Sequence, residues 1–210
     1  MDKLIESMGQ HLLSGRVEEL KAAVTEALAN GVTPQRCLDQ GMMPAMEELG
    51  ERFSDGEAFL PELLLAGHTM KGALEVLRPA MVQGGVQARA VMVIGTVAGD
   101  VHDLGKNIVK MMFEGAGFRV VDLGTSVSAH DFAAACQAEG AGLVGISSLL
   151  TNTMSSLAGV IQQVRASAPD VKVIVGGAPL SQEFAQEVGA DGFAADAYAA
   201  VKVGERLLGL

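Results

Sequence analysis

The length, composition and charge of this chain exclude several classes of protein. Its 210 residues are 49% hydrophobic with 26 glycines, which is typical of a folded globular protein rather than a disordered one. The formal net charge of −10 repels phosphate backbones, so we expect no nucleic-acid partner. No apolar run reaches membrane-spanning length and the N-terminus lacks an apolar signal core, so we expect no membrane association and a cytoplasmic location. Cys37 and Cys136 form no CxxC pair, which excludes a disulfide framework and a structural zinc site.

The N-terminal part of the chain shows the periodicity of α-helices. Apolar residues repeat at helical spacing from Leu20 to Leu28, from Leu38 to Phe53 and from Leu60 to Leu77. The last of these helices is predicted to end at Pro79, because proline disrupts a helix interior. The sequence therefore predicts a bundle of four short helices over residues 1–84.

The remainder alternates between apolar strand runs and helical segments. Strands this apolar are buried on both faces, which indicates a parallel sheet covered by helices on both sides. We therefore expect an α/β protein whose four-helix bundle is followed by a doubly wound, flavodoxin- or Rossmann-like domain over residues 85–210, with a hinge at Gly84-Gly85. The five predicted strands of its sheet are 90–95, 119–124, 143–147, 172–177 and 191–194.

Three of the predicted strand ends carry unusual sequence. In a doubly wound sheet, ligands bind beyond the carboxyl ends of the strands. Asp100 and His102 follow the first strand, Ser147 ends the third and Gly176-Gly177 ends the fourth. A ligating imidazole usually donates its other N–H to a carboxylate, so His102 is a candidate metal ligand, with Asp100 as its partner and Ser147 as a hydrogen-bond partner of that carboxylate. The alternative is that His102 caps a helix and the glycines form ordinary turns, but three such strand ends favour a ligand site.

Other functions of this fold class need residues that the sequence does not supply. A dinucleotide site would need GxGxxG after the first strand, where the chain has Gly95–Asp100. A receiver domain would need an aspartate at the end of the third strand, where Ser147 stands. A zinc hydrolase would need ligands beyond the cluster of Asp100, His102 and Asp103.

The strand-end motifs, taken in order, resemble the signature of the B12-binding domain shared by methionine synthase and corrinoid proteins. The helical half is similar to the cap domain of that family through Gly50–Phe53 and Phe59–Leu64. The resemblance covers nearly the whole chain, and its specificity comes from the order and spacing of the motifs. Those motifs are Asp100-x-His102-x-x-Gly105, Ser147-x-Leu149 and Gly176-Gly177.

The resemblance implies a cobalamin cofactor, such as methylcobalamin or a related corrinoid, bound base-off/His-on. In that state the cofactor's own base leaves the cobalt and His102 takes the lower position, so His102 is the expected metal ligand. The resemblance also implies a relay from His102 through Asp100 to Ser147. The residues that it places at the cofactor are Asp100, Val101, His102, Asp103, Gly105, Ser147, Leu149, Thr151, Gly176, Gly177, Phe53 and Leu60.

Two groups of these residues have separate implied roles. Leu149, Thr151 and Gly176-Gly177 would line a channel for the nucleotide tail of the cofactor. Phe53 and Leu60 would shield the methyl group from the side of the cap domain. Periodicity alone is equally compatible with Phe53 and Leu60 as plain core of the helical bundle.

The resemblance further implies a non-catalytic carrier subunit. A cap and a B12-binding domain without further catalytic modules look like the corrinoid protein of a multi-component methyltransferase system. The expected partners are a substrate-specific methyltransferase of the methylamine, methanol, betaine or methyl ether type and a second methyltransferase acting on tetrahydrofolate or coenzyme M. A reductive activator is a further candidate partner. The alternative is a B12-responsive sensor that regulates another protein.

Overall fold

The computed structural model describes residues 2–83 and 88–210, which fall into two compact units. The helical unit takes in the chain to Ala88 together with Glu114–Gly117, and the α/β unit comprises Arg89–Phe113 and Phe118–Leu210. The predicted hinge at Gly84-Gly85 and the predicted boundary beside it lie outside the described residues, so both stay predictions. Within the part of the chain that the structure describes, no helix is both long enough and apolar enough to cross a membrane.

The helical unit is built mainly from four long helices. Thr33 begins the short segment in the middle of the unit, because its Oγ1 accepts a hydrogen bond from the Arg36 amide and Pro34 occupies the first helical position. Large apolar side chains from all four long helices, such as Met8, Leu20 and Leu63, are buried in its core. The helices are α1 (Asp2–Leu13), α2 (Val17–Ala29), α3 (Pro34–Arg36), a π-helical segment (Cys37–Met42), α4 (Met43–Ser54) and α5 (Leu60–Gln83).

Helix α5 continues through Pro79, whereas the sequence predicted that it would end there. Pro79 has no amide proton to donate to the carbonyl of Glu75, yet the helix extends to Gln83. Its inward side chains, including Leu63, Met70 and Leu77, are buried. Packing of an apolar face supplies most of the stability of a helix in a folded protein, so the loss of one hydrogen bond does not end α5.

The α/β unit contains a five-stranded parallel sheet in the order β2-β1-β3-β4-β5. This order, with helices between successive strands, confirms the predicted doubly wound fold. The strands are β1 (Val91–Thr96), β2 (Arg119–Asp122), β3 (Leu143–Ser147), β4 (Lys172–Gly176) and β5 (Gly192–Ala194). The helices are α6 (Leu104–Gly115), α7 (Ala129–Glu139), α8 (Leu157–Ser167), α9 (Gln182–Glu187) and α10 (Ala197–Leu208).

The order of the strands reverses at the pair formed by β1 and β3. The chain passes from β1 to β2 on one side and then returns to place β3 on the other side of β1. The two strands pair in register up to Thr96 and Ser147, so the loops that follow them start side by side. A doubly wound sheet binds its ligands at this point, because the adjacent loops diverge and leave a crevice.

The two faces of the sheet bury different side chains. Val93 and Val97 of the β1 segment pack into one apolar cluster with Phe132 of α7 and Ile161 of α8. Side chains alternate along a strand, so Thr96 lies on the opposite face of β1. Both cysteines, one in each unit, are buried free thiols, which agrees with the absence of a CxxC motif.

Candidate ligand site at the strand ends

His102 lies in the loop between β1 and α6, and hydrogen bonds hold both its ring and its main chain. Its Nδ1 lies 2.8 Å from Oδ1 of Asp100, and its amide donates to the same oxygen at 3.0 Å. Its carbonyl oxygen accepts a hydrogen bond from Oγ1 of Thr96 at 2.9 Å. A carboxylate beside Nδ1 favours the tautomer with its proton on that nitrogen, which leaves the lone pair of Nε2 for a metal. The His102 side chain is 50% exposed, so a ligand can reach it.

Asp100 is fully buried beneath His102 and links two of the strand-end loops. Its Oδ2 accepts a hydrogen bond of 2.6 Å from the amide of Leu149, which follows β3. Burial by itself raises the pKa of the Asp100 carboxyl, but the hydrogen bonds from Leu149 and His102 outweigh it and hold that pKa below its usual value. The group is therefore an ionised carboxylate near neutral pH, which is the form that orients an imidazole.

Ser147 does not form the predicted hydrogen bond with Asp100 in this structure. The carboxylate instead accepts from the amide and the ring of His102 through Oδ1 and from the amide of Leu149 through Oδ2. Two buried hydroxyls follow β3, those of Ser148 and Thr153, and their oxygens lie 2.8 Å apart. Sequence reasoning missed Thr153, although the signal was a threonine in the turn over residues 151–153 that follows β3.

Thr153 lies beside the loop that carries Asp100. A Cβ atom added to Gly99 would come within 3.7 Å of its Cγ2, and its hydroxyl donates to the carbonyl of Leu150 at 2.9 Å. The segment after β3 is therefore joined to the loop after β1 by the Leu149 amide, and the Thr153 side chain lies next to that loop.

The predicted glycines serve two different purposes. Gly177 has φ +141°, and a Cβ there would lie 1.9 Å from the carbonyl oxygen of Ser148, so the ends of β3 and β4 approach too closely for any side chain. Gly105 has ordinary helical backbone, and a Cβ there would meet nothing within 4 Å. The chain itself therefore does not require glycine at Gly105, and the space above it is open to a ligand.

The surface around His102 is apolar and exposed. Val101 is 72% exposed, Leu104 is 59% exposed, and Leu149, whose amide bonds Asp100, is 39% exposed. Large apolar side chains grouped in this way mark a surface that another molecule covers. An accessible imidazole nitrogen amid apolar side chains fits a flat, mainly apolar ring that carries a metal at its centre.

The other predicted site residues are placed as follows. Asp103 and Thr151 are exposed in the loops after β1 and β3, and Gly176 is partly exposed at the end of β4. In the helical unit, Phe53 at the end of α4 and Leu60 at the start of α5 are both half-buried. Contact of Phe53 and Leu60 with a cofactor stays a prediction.

A buried ion-pair cluster supports the start of α6, four residues after His102. The Lys106 side chain is 2% exposed, and its Nζ lies 2.7 and 2.8 Å from the two carboxylate oxygens of Asp122 and 2.7 Å from Oδ1 of Asn107. Nζ of Lys110 lies 3.2 Å from Oδ2 of Asp122. Sequence reasoning missed this cluster, because a lysine on an amphipathic helix is usually part of its solvated face.

We expect Asp122 to contribute to the loss of stability in acid. Burial raises the pKa of its carboxyl, but hydrogen bonds from Lys106, the Gly124 amide and Lys110 hold that pKa below its usual value. A carboxyl with a lowered folded-state pKa stabilises the protein above its unfolded-state pKa of about 4, and this stabilisation is lost as the pH falls through the folded-state value. Asp122→Asn should lower the free energy of unfolding by about 3 kcal/mol near neutral pH.

The measurement is urea unfolding of wild type and Asp122→Asn over a series of pH values. The difference between the two free energies should shrink as the pH falls below about 4, because wild type also loses the charge there. Asp131→Asn is a suitable control, because Asp131 is an exposed aspartate on α7 of the same unit. A difference that stays constant in acid would show that the charge of Asp122 is not the cause.

Comparison with protein families finds a match to the B12-binding domain over two stretches. One family model, described as a B12 binding domain, matches residues 90–202, which span the five-stranded sheet. A second model, also described as a B12 binding domain, matches residues 4–78 of the helical unit. Together the two matches cover most of the chain.

Individual proteins resemble the chain over nearly all of its length. A corrinoid protein of Desulfitobacterium hafniense is 35% identical over 98% of both chains. Trimethylamine corrinoid protein 2 of Methanosarcina mazei is 40% identical over 88% of both chains. The crystal structure of a methanol:cobalamin methyltransferase complex from Methanosarcina barkeri contains a chain that matches with a TM-score of 0.85 and 25% identity, covering 100% of this chain and 81% of that one.

Proposed function

Because the chain belongs to the family of corrinoid proteins with B12-binding domains, we propose that it is the methyl carrier of a corrinoid-dependent methyltransferase system. When bound, the corrinoid supplies a cobalt atom that accepts and gives up a methyl group. The observation that carries the proposal is the arrangement of His102, whose ring is oriented by the buried Asp100 and surrounded by exposed apolar side chains.

His102 is the residue that we propose as the lower ligand of cobalt, in the base-off/His-on state. The Asp100 carboxylate favours the tautomer with its proton on Nδ1, so Nε2 would be available to bind the metal as a neutral ligand. Val101, Leu104 and Leu149 would lie under the corrin ring, since their exposed apolar surface is lost from water when the ring covers it. The open space at Gly105 would allow the ring to approach the backbone.

The remaining predicted contacts belong to the tail and the upper face of the cofactor. Thr151 follows β3, and Gly176-Gly177 lie at the end of β4, so a nucleotide tail could enter between the loops after these two strands. Phe53 and Leu60 of the helical unit are proposed to contact the upper face. Asp103, next to His102, is exposed and available for a polar contact with the edge of the ring.

The partners follow from the chemistry of a carrier. A substrate-specific methyltransferase must deliver the methyl group, and the relatives named for trimethylamine and methanol favour a small methylated amine or alcohol as its source. A second methyltransferase must remove the methyl group, and a reductive activator would restore cobalt that has been oxidised. We place these reactions in the cytoplasm. The relatives give no support to the alternative of a B12-responsive sensor.

The decisive experiment compares His102→Ala with wild type after reconstitution with methylcobalamin. We expect wild type to give the absorption spectrum of a base-off, His-on corrinoid and His102→Ala to give that of a base-off corrinoid without a histidine ligand. His130→Ala is the matched control, because His130 is an exposed histidine of the same unit. An unchanged spectrum in His102→Ala would show that His102 is not the ligand.

A second experiment tests the carrier function itself. The reconstituted protein is incubated with the methyltransferases encoded beside it and with candidate methylated amines or methanol. Transfer of the methyl group to the cofactor, seen in the absorption spectrum, and its later removal by a second methyltransferase would support a carrier. Corrinoid binding without methyl transfer from any such donor would argue against it.

A further inference from the structure

Thr96 is a buried polar residue at the end of an otherwise apolar strand. It is the last residue of β1 and is fully buried, and its Oγ1 donates a hydrogen bond of 2.9 Å to the carbonyl oxygen of His102. Valine has nearly the same shape and would suit a buried strand equally well. Threonine therefore differs from valine at this position by its hydroxyl group. This hydroxyl contacts the main chain of His102.

Two buried side chains hold the main chain of His102 from its two sides. The amide donates to Oδ1 of Asp100, and the carbonyl accepts from Thr96. Asp100 and Thr96 are both fully buried, whereas half of the His102 side chain is exposed. The position of an exposed ring is thus set by contacts inside the protein.

Thr96 is itself held by the sheet and by the loop that follows β2. It pairs in register with Ser147 of β3, and its amide donates to the carbonyl of Gly124 at 3.0 Å. The hydroxyl therefore connects His102 directly to the parallel sheet of the α/β unit. Functional side chains supported from strands in this way keep their geometry better than those supported from loops alone.

We propose that Thr96 is a positioning residue that fixes the distance between His102 and the metal of the bound cofactor. Without the hydroxyl, the carbonyl of His102 would lose its buried donor, and the segment between Thr96 and α6 could move to find another partner. Asp100 would still orient the ring, but the distance of the ring from the metal would no longer be fixed. This inference rests on the proposed function, because it takes His102 as the cobalt ligand.

The experiment compares Thr96→Val with Thr96→Ser in the full-length protein loaded with cob(II)alamin. Electron paramagnetic resonance shows nitrogen hyperfine splitting when an imidazole binds the cobalt, and so reports the ratio of His-on to His-off cofactor. We expect Thr96→Val to lower this ratio about tenfold, the effect of losing one hydrogen bond to a buried group. Thr96→Ser keeps the hydroxyl and should stay close to wild type. Thermal unfolding of the apoproteins separates a loss of folding from a loss of ligation.

The set of variants distinguishes the two hypotheses. If His102→Ala keeps the nitrogen splitting, the ligand assignment of the proposed function is wrong, and the inference falls with it. If His102→Ala loses the splitting while a folded Thr96→Val keeps it fully, the assignment stands and the role of Thr96 is wrong. A lower ratio in Thr96→Val that Thr96→Ser does not share would support the inference.

A measurement on the wild-type apoprotein covers the case in which Thr96→Val does not fold. The Thr96 hydroxyl proton should then be visible by nuclear magnetic resonance and exchange slowly with water, because it is buried and donates to the His102 carbonyl. Rapid exchange of this proton would overturn the inference.

Discussion

Gly177→Ala is expected to prevent folding of the α/β unit or to lower its free energy of unfolding by about 4 kcal/mol or more. The added Cβ would lie 1.9 Å from the carbonyl oxygen of Ser148, and only movement of two backbones could separate them. The backbone at φ +141° adds strain, since side chains rarely tolerate that conformation. Urea unfolding of the apoprotein, followed by circular dichroism, measures the effect.

Gly105→Ala is the matched control for this substitution and has a second use. Its Cβ would point into open space from a helical backbone, so the apoprotein should be unchanged or stabilised by up to about 1 kcal/mol. If a corrin ring lies over Gly105, the same substitution should weaken cofactor binding. A destabilised Gly105→Ala apoprotein, or a Gly177→Ala protein as stable as wild type, would contradict this reading of the two glycines.

Lys106→Met is expected to lower the free energy of unfolding by about 3 kcal/mol or more, because it leaves the Asp122 carboxylate without its main partner. Methionine can fill much of the space of the lysine side chain, so the substitution tests the loss of the lysine charge rather than a loss of side-chain volume. Lys106 contacts both Asp122 oxygens and Asn107, and its side chain is almost completely buried. Equilibrium unfolding in urea near neutral pH is the measurement.

Lys110→Met provides the comparison, because Lys110 reaches the same carboxylate from a more exposed position and at the longer distance of 3.2 Å. Its loss should cost less than about 1 kcal/mol. Equal effects of the two substitutions would mean that burial of Lys106 does not matter. The double variant Lys106→Met, Asp122→Leu should recover much of the stability, since replacing a whole buried pair with apolar residues is tolerated better than removing one partner.

The sheet could be predicted from local sequence, because each strand is a short apolar run followed by a helical period. The runs ending at Ser147 and Gly176 were placed to within a residue, and the parallel arrangement followed from their uniform hydrophobicity. The end of α5 could not be predicted from the sequence. The helix hydrogen bond lost at Pro79 is evident from the sequence, whereas the packing that offsets this loss comes from residues elsewhere in the bundle.

Local sequence patterns were sufficient to predict the doubly wound fold and the position of His102 and Asp100 together at one edge of the sheet. Both depend on short-range patterns: the period of apolar residues, and the rule that parallel strands end on the same side. Asp100 and His102 are two residues apart in the sequence, and this spacing was enough to predict that the carboxylate pairs with the imidazole.

The groups that complete the site become evident only in the folded protein. The donor to Oδ2 of Asp100 is a backbone amide, that of Leu149, and every residue except proline carries one, so no sequence pattern indicates it. The hydrogen bond from Thr96 to the His102 carbonyl depends on the course of the intervening loop. The sequence does not distinguish the roles of Gly177 and Gly105. In the folded chain the Ser148 carbonyl leaves no room for a side chain at Gly177, whereas the space above Gly105 is open. Contacts of this kind depend on distances between segments that are remote in sequence, and those distances exist only in the folded chain.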